Sequence, residues 1–253
     1  MKRILTTLKE KWPEYLLEIL VLIIGIYGAF AMDNWNEERK DRQKEQQVLT
    51  ELKAEYQSNL DQLDQKTNMR NQMLEAAHNI FRYIDSPSIA HRDSLMMFLF
   101  SISRDPTFDP IQNDLIASGN LRLLQNDSLR MMLSNWTTEV YQLQEIEREW
   151  QKVRSEVGTE MGIKLGITRD FTHQLWKDGY TPIEALDQSV NIKRKVGPSK
   201  NTLDLPSILS SRELEGFSAC VVTWSQVANI QGQALRSRIQ AILSLIDEEL
   251  AKK

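Results

Sequence analysis

Apolar residues recur at intervals of three and four along three long tracts of this chain, and between Ile19 and Met32 they run together without a single charge. Spacing by threes and fours sets side chains on one face of an α-helix, whereas a half-buried strand alternates. The first tract carries Leu49, Leu52, Tyr56, Leu60 and Leu63, then Met73, Leu74, Ala77, Ile80, Phe81 and Ile84, until Asp85-Ser86-Pro87 stops it. The second starts after Asn126-Asp127 and carries Leu129, Met132, Trp136, Val140, Leu143, Ile146, Trp150, Val153, Val157 and Met161. The third, about 211 to 251, carries Leu214, Phe217, Val221, Trp224, Ala228, Leu235, Ile239, Ile242, Ile246 and Leu250. Each stripe must pack against the others, so the pattern predicts an all-α protein built on a bundle of three long helices plus short ones.

Shorter elements fill the intervals. Residues 93–101 read as a short helix. Asp109-Pro110-Ile111-Gln112 offers a helix start, with an acid at the N-cap and proline at the first helical position, and Gly119 offers the stop. From about 166 to 206 the periodicity fades while Gly166, Gly179, Pro182, Gly197, Pro198 and Pro206 accumulate, which predicts a long loop holding the basic triplet Lys193-Arg194-Lys195. The triplet reads as a solvated patch or a contact for lipid headgroups or an acidic partner. No repeat of ~20 to 50 residues is visible, which disfavours a solenoid.

The uncharged run Ile19 to Met32 covers only ~21 Å as a helix, short of a hydrocarbon core of ~30 Å. Extending it to Tyr15 takes in Leu16, Leu17 and Glu18 and brings it to ~27 Å, while Trp12 and Trp35 lie ~35 Å apart, where interfacial indoles belong. A membrane-spanning helix over 15–32 is therefore expected, with Glu18 tolerated about a turn inside its boundary. There the carboxyl is either neutralised or hydrated near Lys11, or it serves as an ion or proton site or meets a partner's basic residue. Lys2 and Arg3 ahead of a run ending Ala29-Phe30-Ala31 also fit a cleavable secretory signal, but the long stretch before the run favours a retained anchor. Flanking cations tie, with Lys2, Arg3, Lys9 and Lys11 on one side and Arg39, Lys40, Arg42 and Lys44 on the other. Acids Asp33, Glu37 and Glu38 come first on the far side, so the expected orientation keeps the amino terminus in the cytoplasm. Glu18, Leu22, Gly25, Ala29 and Met32 share one face, and Gly25 with Ala29 forms the small-xxx-small pair that lets membrane helices approach closely. Self-association through that face, beside Glu18, is the expected consequence.

From Asp33 to Gln47 the residues are good helix formers with Trp35 as the only large apolar side chain, which predicts a solvated helical stalk. Glu38 and Arg42 are spaced for an i,i+4 pair within it. The expected layout is a tail over 1–14, the span over 15–32, the stalk over 33–48 and the bundle over 49–253.

Composition adds exclusions more than assignments. Only 10 Gly and 7 Pro in 253 residues agree with helix almost throughout, and a net charge of −4 offers no footprint for a nucleic-acid partner. The single cysteine, Cys220, lies between Phe217 and Trp224 and reads as a buried small hydrophobe rather than a reactive thiolate. His78, His91 and His173 are dispersed with no HExxH pairing, and no G-x-S-x-G elbow or phosphate-cradling glycine loop occurs. No catalytic residue, metal ligand or cofactor is therefore expected. Gly158, Gly162 and Gly166, spaced by four, fit fraying or close packing. The stretch SGNLRLLQNDSLR, Ser118 to Arg130, is either a corner whose Asn126 or Asp127 caps the next helix, or a contact site at the far end of the bundle. In the second case Asn120, Arg122 and Arg130 would bind a small anionic or peptide ligand.

The blocks EYLLEILVLIIGIYGAFAMDNWNEERKDR, NDLIASGNLRLLQNDSLRMML and AILSLIDEEL resemble a widespread family of uncharacterised Gram-negative bacterial envelope proteins, a domain of unknown function. The span followed by Asn34-Trp35-Asn36-Glu37 is the most specific element, and Tyr27 and Gly28 depart from the branched aliphatics expected there. The resemblance implies one amino-terminal helix in the inner membrane and a helical periplasmic part, with no activity to carry over. The expected function is a non-enzymatic, membrane-anchored scaffold or sensor of the cell envelope, a homo-oligomer in the lipid bilayer that meets another envelope protein if it has a heterologous partner. The alternative is a subunit of an ion- or proton-coupled membrane assembly that uses Glu18. An envelope enzyme with its site in the 166–206 loop has no motif behind it.

Overall fold

No proline interrupts the chain between Glu14 and Asp85, and the residues there form one continuous helix, α1 (Lys2–Asp85), of 84 residues or ~126 Å. The computed structural model describes residues 2–111, 120–177, 196–201 and 204–252 and, outside 2–11, 13–15, 120 and 174–177, their side chains. After α1 come a 3-10 turn (Pro87–Ile89) and α2 (Arg92–Ile102), then a strap without regular structure over 104–111. A second 3-10 turn (Asn120–Leu123) leads into α3 (Asp127–Val153), which passes through a π turn (Arg154–Gly158) into α4 (Thr159–Lys164). Helices α5 (Thr168–Lys177), α6 (Leu205–Leu209) and α7 (Arg212–Ala251) complete the order. The described residues contain no strand, so the architecture is all-α, with a long amino-terminal apolar helix followed by further helices.

Helix ends sit where the local chemistry places them. Asn126 accepts a hydrogen bond from Leu129 N as the N-cap of α3, and Ser211 accepts one from Leu214 N at the start of α7. Two α-helices, α5 and α6, occupy parts of the stretch expected as a long loop, and α6 starts from Asp204 as its N-cap with Pro206 in its first turn. Gly179, Pro182 and the Lys193-Arg194-Lys195 triplet lie outside the described residues, as do residues 112–119 of the helix expected to begin at Pro110 and stop at Gly119.

Helix α7 runs antiparallel to α1, bonding its residues 249 and 252 to Arg42, Arg236 to Asp64 and Asn229 to Asn71. Helix α3 runs parallel to α1 and antiparallel to α7, with the Tyr56 and Trp136 rings 5.0 Å apart and Arg238 bonded to Glu139. The buried stripes form two apolar clusters. One joins Leu49, Leu63, Trp136, Leu143, Leu235 and Ile246; the other joins Met73, Ile80, Leu99, Trp150, Phe217 and Val221.

Two expectations about packing change and a third is resolved. Val157 is exposed although Val153 and Met161 lie on its predicted stripe, because the π turn inserts an extra residue and rotates the face. In the same turn Gly158 is pressed against Phe217, where a Cβ would meet ring atom Cζ at 2.8 Å, so close packing explains this glycine. Cys220 is half-buried rather than fully enclosed.

Candidate functional site

The stalk enters the bundle through a polar joint. Residues 33–41 are exposed, but Arg42 turns its guanidinium away from the spacing to Glu38 and pairs with Glu45. It also donates to the carbonyl of Glu249 at 2.7 Å, which Gln46 Nε2 reaches at 3.1 Å. Glu45 is buried and its second oxygen accepts from Gln125 N at 2.6 Å. Asn126 donates to Glu249 Oε1 at 2.7 Å while capping α3. Side chains of α1 thus hold the last turn of α7 and the corner before α3 together. The carbonyl of Glu249 in the last turn of α7 and that of Lys252 just beyond it find donors in Arg42 and Gln46, which is how a helix end is satisfied when no capping glycine follows. The Lys252 ammonium holds the Glu249 carboxyl below the usual carboxylate range, with Asn126 assisting against burial.

This joint corrects one expectation. The described part of the corner, residues 120–130, sits at the end of the bundle nearest the apolar segment, beside Glu45 and Glu249, because the strap carries the chain back down α1 before α3 begins. Arg130 is occupied locally, donating to Leu124 O at 2.6 Å and pairing with Asp127; Arg122 is exposed, and the side chain of Asn120 lies outside the described residues. Asn126, read as a possible cap, is the cap.

Further along the bundle lies a polar belt that periodicity did not single out. Arg70 of α1 and Glu147 of α3, 1% and 4% exposed, pair between the two apolar clusters. Both secure the strap: Arg70 Nη2 donates to Pro106 O at 3.2 Å, and Glu147 Oε2 accepts from Phe108 N at 3.0 Å. Asn59 makes two bonds to the main chain of Ile111, Gln62 accepts from Asp109 N at 2.9 Å, and Trp150 Nε1 donates to Arg104 O at 3.1 Å. Arg154 bonds Asp105 at 3.1 Å. The strap therefore runs antiparallel to α1 with its main-chain groups satisfied by side chains of α1 and α3, as a buried non-helical segment requires. Burial pushes the Glu147 carboxyl up to about 7, opposed by Arg70 and by Phe108 N–H, and burial also lowers Arg70 against the pull of Glu147.

The residues expected in the membrane are placed on the exposed part of α1. The apolar window near its amino end has none of its residues buried in the protein, and this helix is long and apolar enough to cross a membrane. Trp12 and Trp35 are exposed, and a Cβ at Gly25 would meet no atom within 4 Å. Glu18 and Ala29 are likewise exposed. Among the described residues no group of three or more His, Cys, Asp or Glu is placed to hold a metal ion.

A family of unknown function, DUF6090, matches residues 18–165, more than half of the chain. The protein belongs to the DUF6090 family. No curated protein matches the chain, and no solved structure does. The DUF6090 match opens at Glu18 and takes in the apolar helix, the stalk, α2, the strap, α3 and α4. Arg42, Glu45, Arg70 and Glu147 all fall within it, whereas α7, with Glu249 and Lys252, lies beyond. In this member of DUF6090 the joint is thus built half from the matched segment and half from the helix that closes the bundle.

Proposed function

We propose that this protein is a non-enzymatic scaffold or sensor of the bacterial cell envelope, held in the inner membrane by residues 15–32 with its amino terminus in the cytoplasm and its bundle in the periplasm. The observation that carries the proposal is the continuity of α1, in which one helix contains both the exposed apolar window and the core stripe of the bundle. A rotation or displacement of the apolar segment would reach the joint through an unbroken helix, where Arg42, Glu45 and Gln46 grip two other elements. Self-association through Gly25 and Ala29 is part of the proposal, since that face is open and lets helices approach closely. Light scattering of the full chain in detergent tests it. The expected result is an oligomer that Gly25→Leu weakens; a monomer that is unaffected by Gly25→Leu contradicts the self-association.

A further inference from the structure

Arg70 is among the most buried side chains in the protein, yet only one of its three nitrogens is satisfied. Nη2 serves Pro106 O and Glu147, while Nε and Nη1 are enclosed without a hydrogen-bond partner. A guanidinium is charged at every accessible pH and carries five N–H donors, so enclosed donors of this kind call for an acceptor. Beside it lies a cavity of about 10 Å³ bounded by Arg70, Glu147, Trp150, Trp224, Ser225 and Ala228. The volume decides what fits: about 10 Å³ is the lower limit for one water and excludes any organic ligand or polyatomic anion. The charges decide the rest, since Arg70 repels a cation and Glu147 repels a halide.

We infer that this cavity is a binding site for a single buried water, which accepts from Arg70 and bonds the Ser225 hydroxyl. Nε–H and the Nη1 protons leave opposite edges of the guanidinium, so the water accepts from Nε, and Ser225, itself 5% exposed, supplies a second partner from α7. Two partners lie within the range for a structural water. The water then links α7 to a belt that otherwise ties only α1, the strap and α3. Gly232, two turns further along α7, lies against the same guanidinium: a Cβ there would meet Nη1 at 3.5 Å and Thr67 Oγ1 at 3.7 Å, ordinary contact distances.

The test uses the full chain in detergent, labelled with ¹⁵N-arginine, together with a crystal structure fine enough to show waters. A cross-peak is expected between Arg70 Nε–H and a long-lived water, identified by its loss in Arg70→Lys, with density within ~3.2 Å of Nε and of Ser225 Oγ. Ser225→Ala is expected to shorten the water's residence several-fold while leaving the fold intact. A dry cavity, a side chain closing on both nitrogens, or an Arg70 Nε–H with no contact to water overturns the site. A residence time unchanged in Ser225→Ala overturns the role of that hydroxyl.

Discussion

The belt around Glu147 and the joint around Glu249 bury their carboxylates almost equally, to 4% and 3% exposure, yet the two groups are pushed in opposite directions. The difference lies in depth as well as in the partners, since Glu147 sits deep between the apolar clusters and Glu249 at the rim of the bundle. Arg70 is itself enclosed, so the pair gives up hydration on both sides, and mutual attraction only partly offsets that loss. Lys252 keeps its ammonium 63% exposed, so it stays hydrated while it pairs with Glu249. Loss of its own hydration is the largest influence on Glu147, and the Lys252 hydrogen bond is the largest on Glu249. The belt fixes the strap at an electrostatic cost, whereas at the joint the contacts of Glu249 outweigh its burial.

The largest expected effect breaks the belt. Glu147→Leu alone strands Arg70 and should lower the stability measured by urea unfolding by about 3–5 kcal/mol, whereas Arg70→Met with Glu147→Leu should recover most of it. A double variant as unstable as the single one would show that the loss comes from the strap's unpartnered main chain at Pro106 and Phe108 rather than from a stranded charge. The pH dependence separates the two regions. Glu147 binds its proton more tightly in the folded state, so its contribution is fully present below the ordinary carboxylate range and is lost as pH rises toward about 7. Glu249 does the reverse: its contribution is present above the ordinary carboxylate range and fades as pH falls through its lowered value. Unfolding of the wild type and of Glu147→Gln between pH 4.5 and 7.5 should therefore differ in slope, with the downward slope absent from the variant. At the joint, Glu45→Ala should cost about 1.5–3 kcal/mol by the same assay, because it removes the acceptor for Gln125 N and Arg42. Asn126→Ala, which deletes a cap and one bond to Glu249, should cost about 1 kcal/mol.

The three long helices were legible because each buries a stripe whose period is audible in the residues themselves, from Leu49 to Ile84, Leu129 to Trp150 and Leu214 to Ile246. Stops at Ser86-Pro87 and starts at Asn126 and Ser211 were legible for the same local reason. The belt and joint were harder, since they depend on which stripes face each other. A signal was present: Arg70 lies seven residues from both Leu63 and Ala77, Glu147 falls between Leu143 and Trp150, and Glu45 precedes Leu49 by four. Charged residues at core positions of a stripe require buried partners, and spacing along one helix does not name them. The strap was illegible for the same reason, because Asn59, Gln62 and Glu147 claim its main chain from other helices, which spacing along one segment does not show. The π turn that exposes Val157 leaves no mark in a stripe of apolar residues.

At the other extreme of effect size, Glu18→Gln should leave folding unchanged, as Glu18 is exposed on α1 away from the bundle. Vesicles in which proton uptake differs between wild type and Glu18→Gln would favour the ion-coupled alternative over a scaffold. The most direct measurement is fractionation of cells with determination of the amino terminus of the mature chain. Retention in the membrane after alkaline carbonate extraction, with residues 15–32 intact, is the predicted result; a freely soluble polypeptide beginning at Met32 would contradict it.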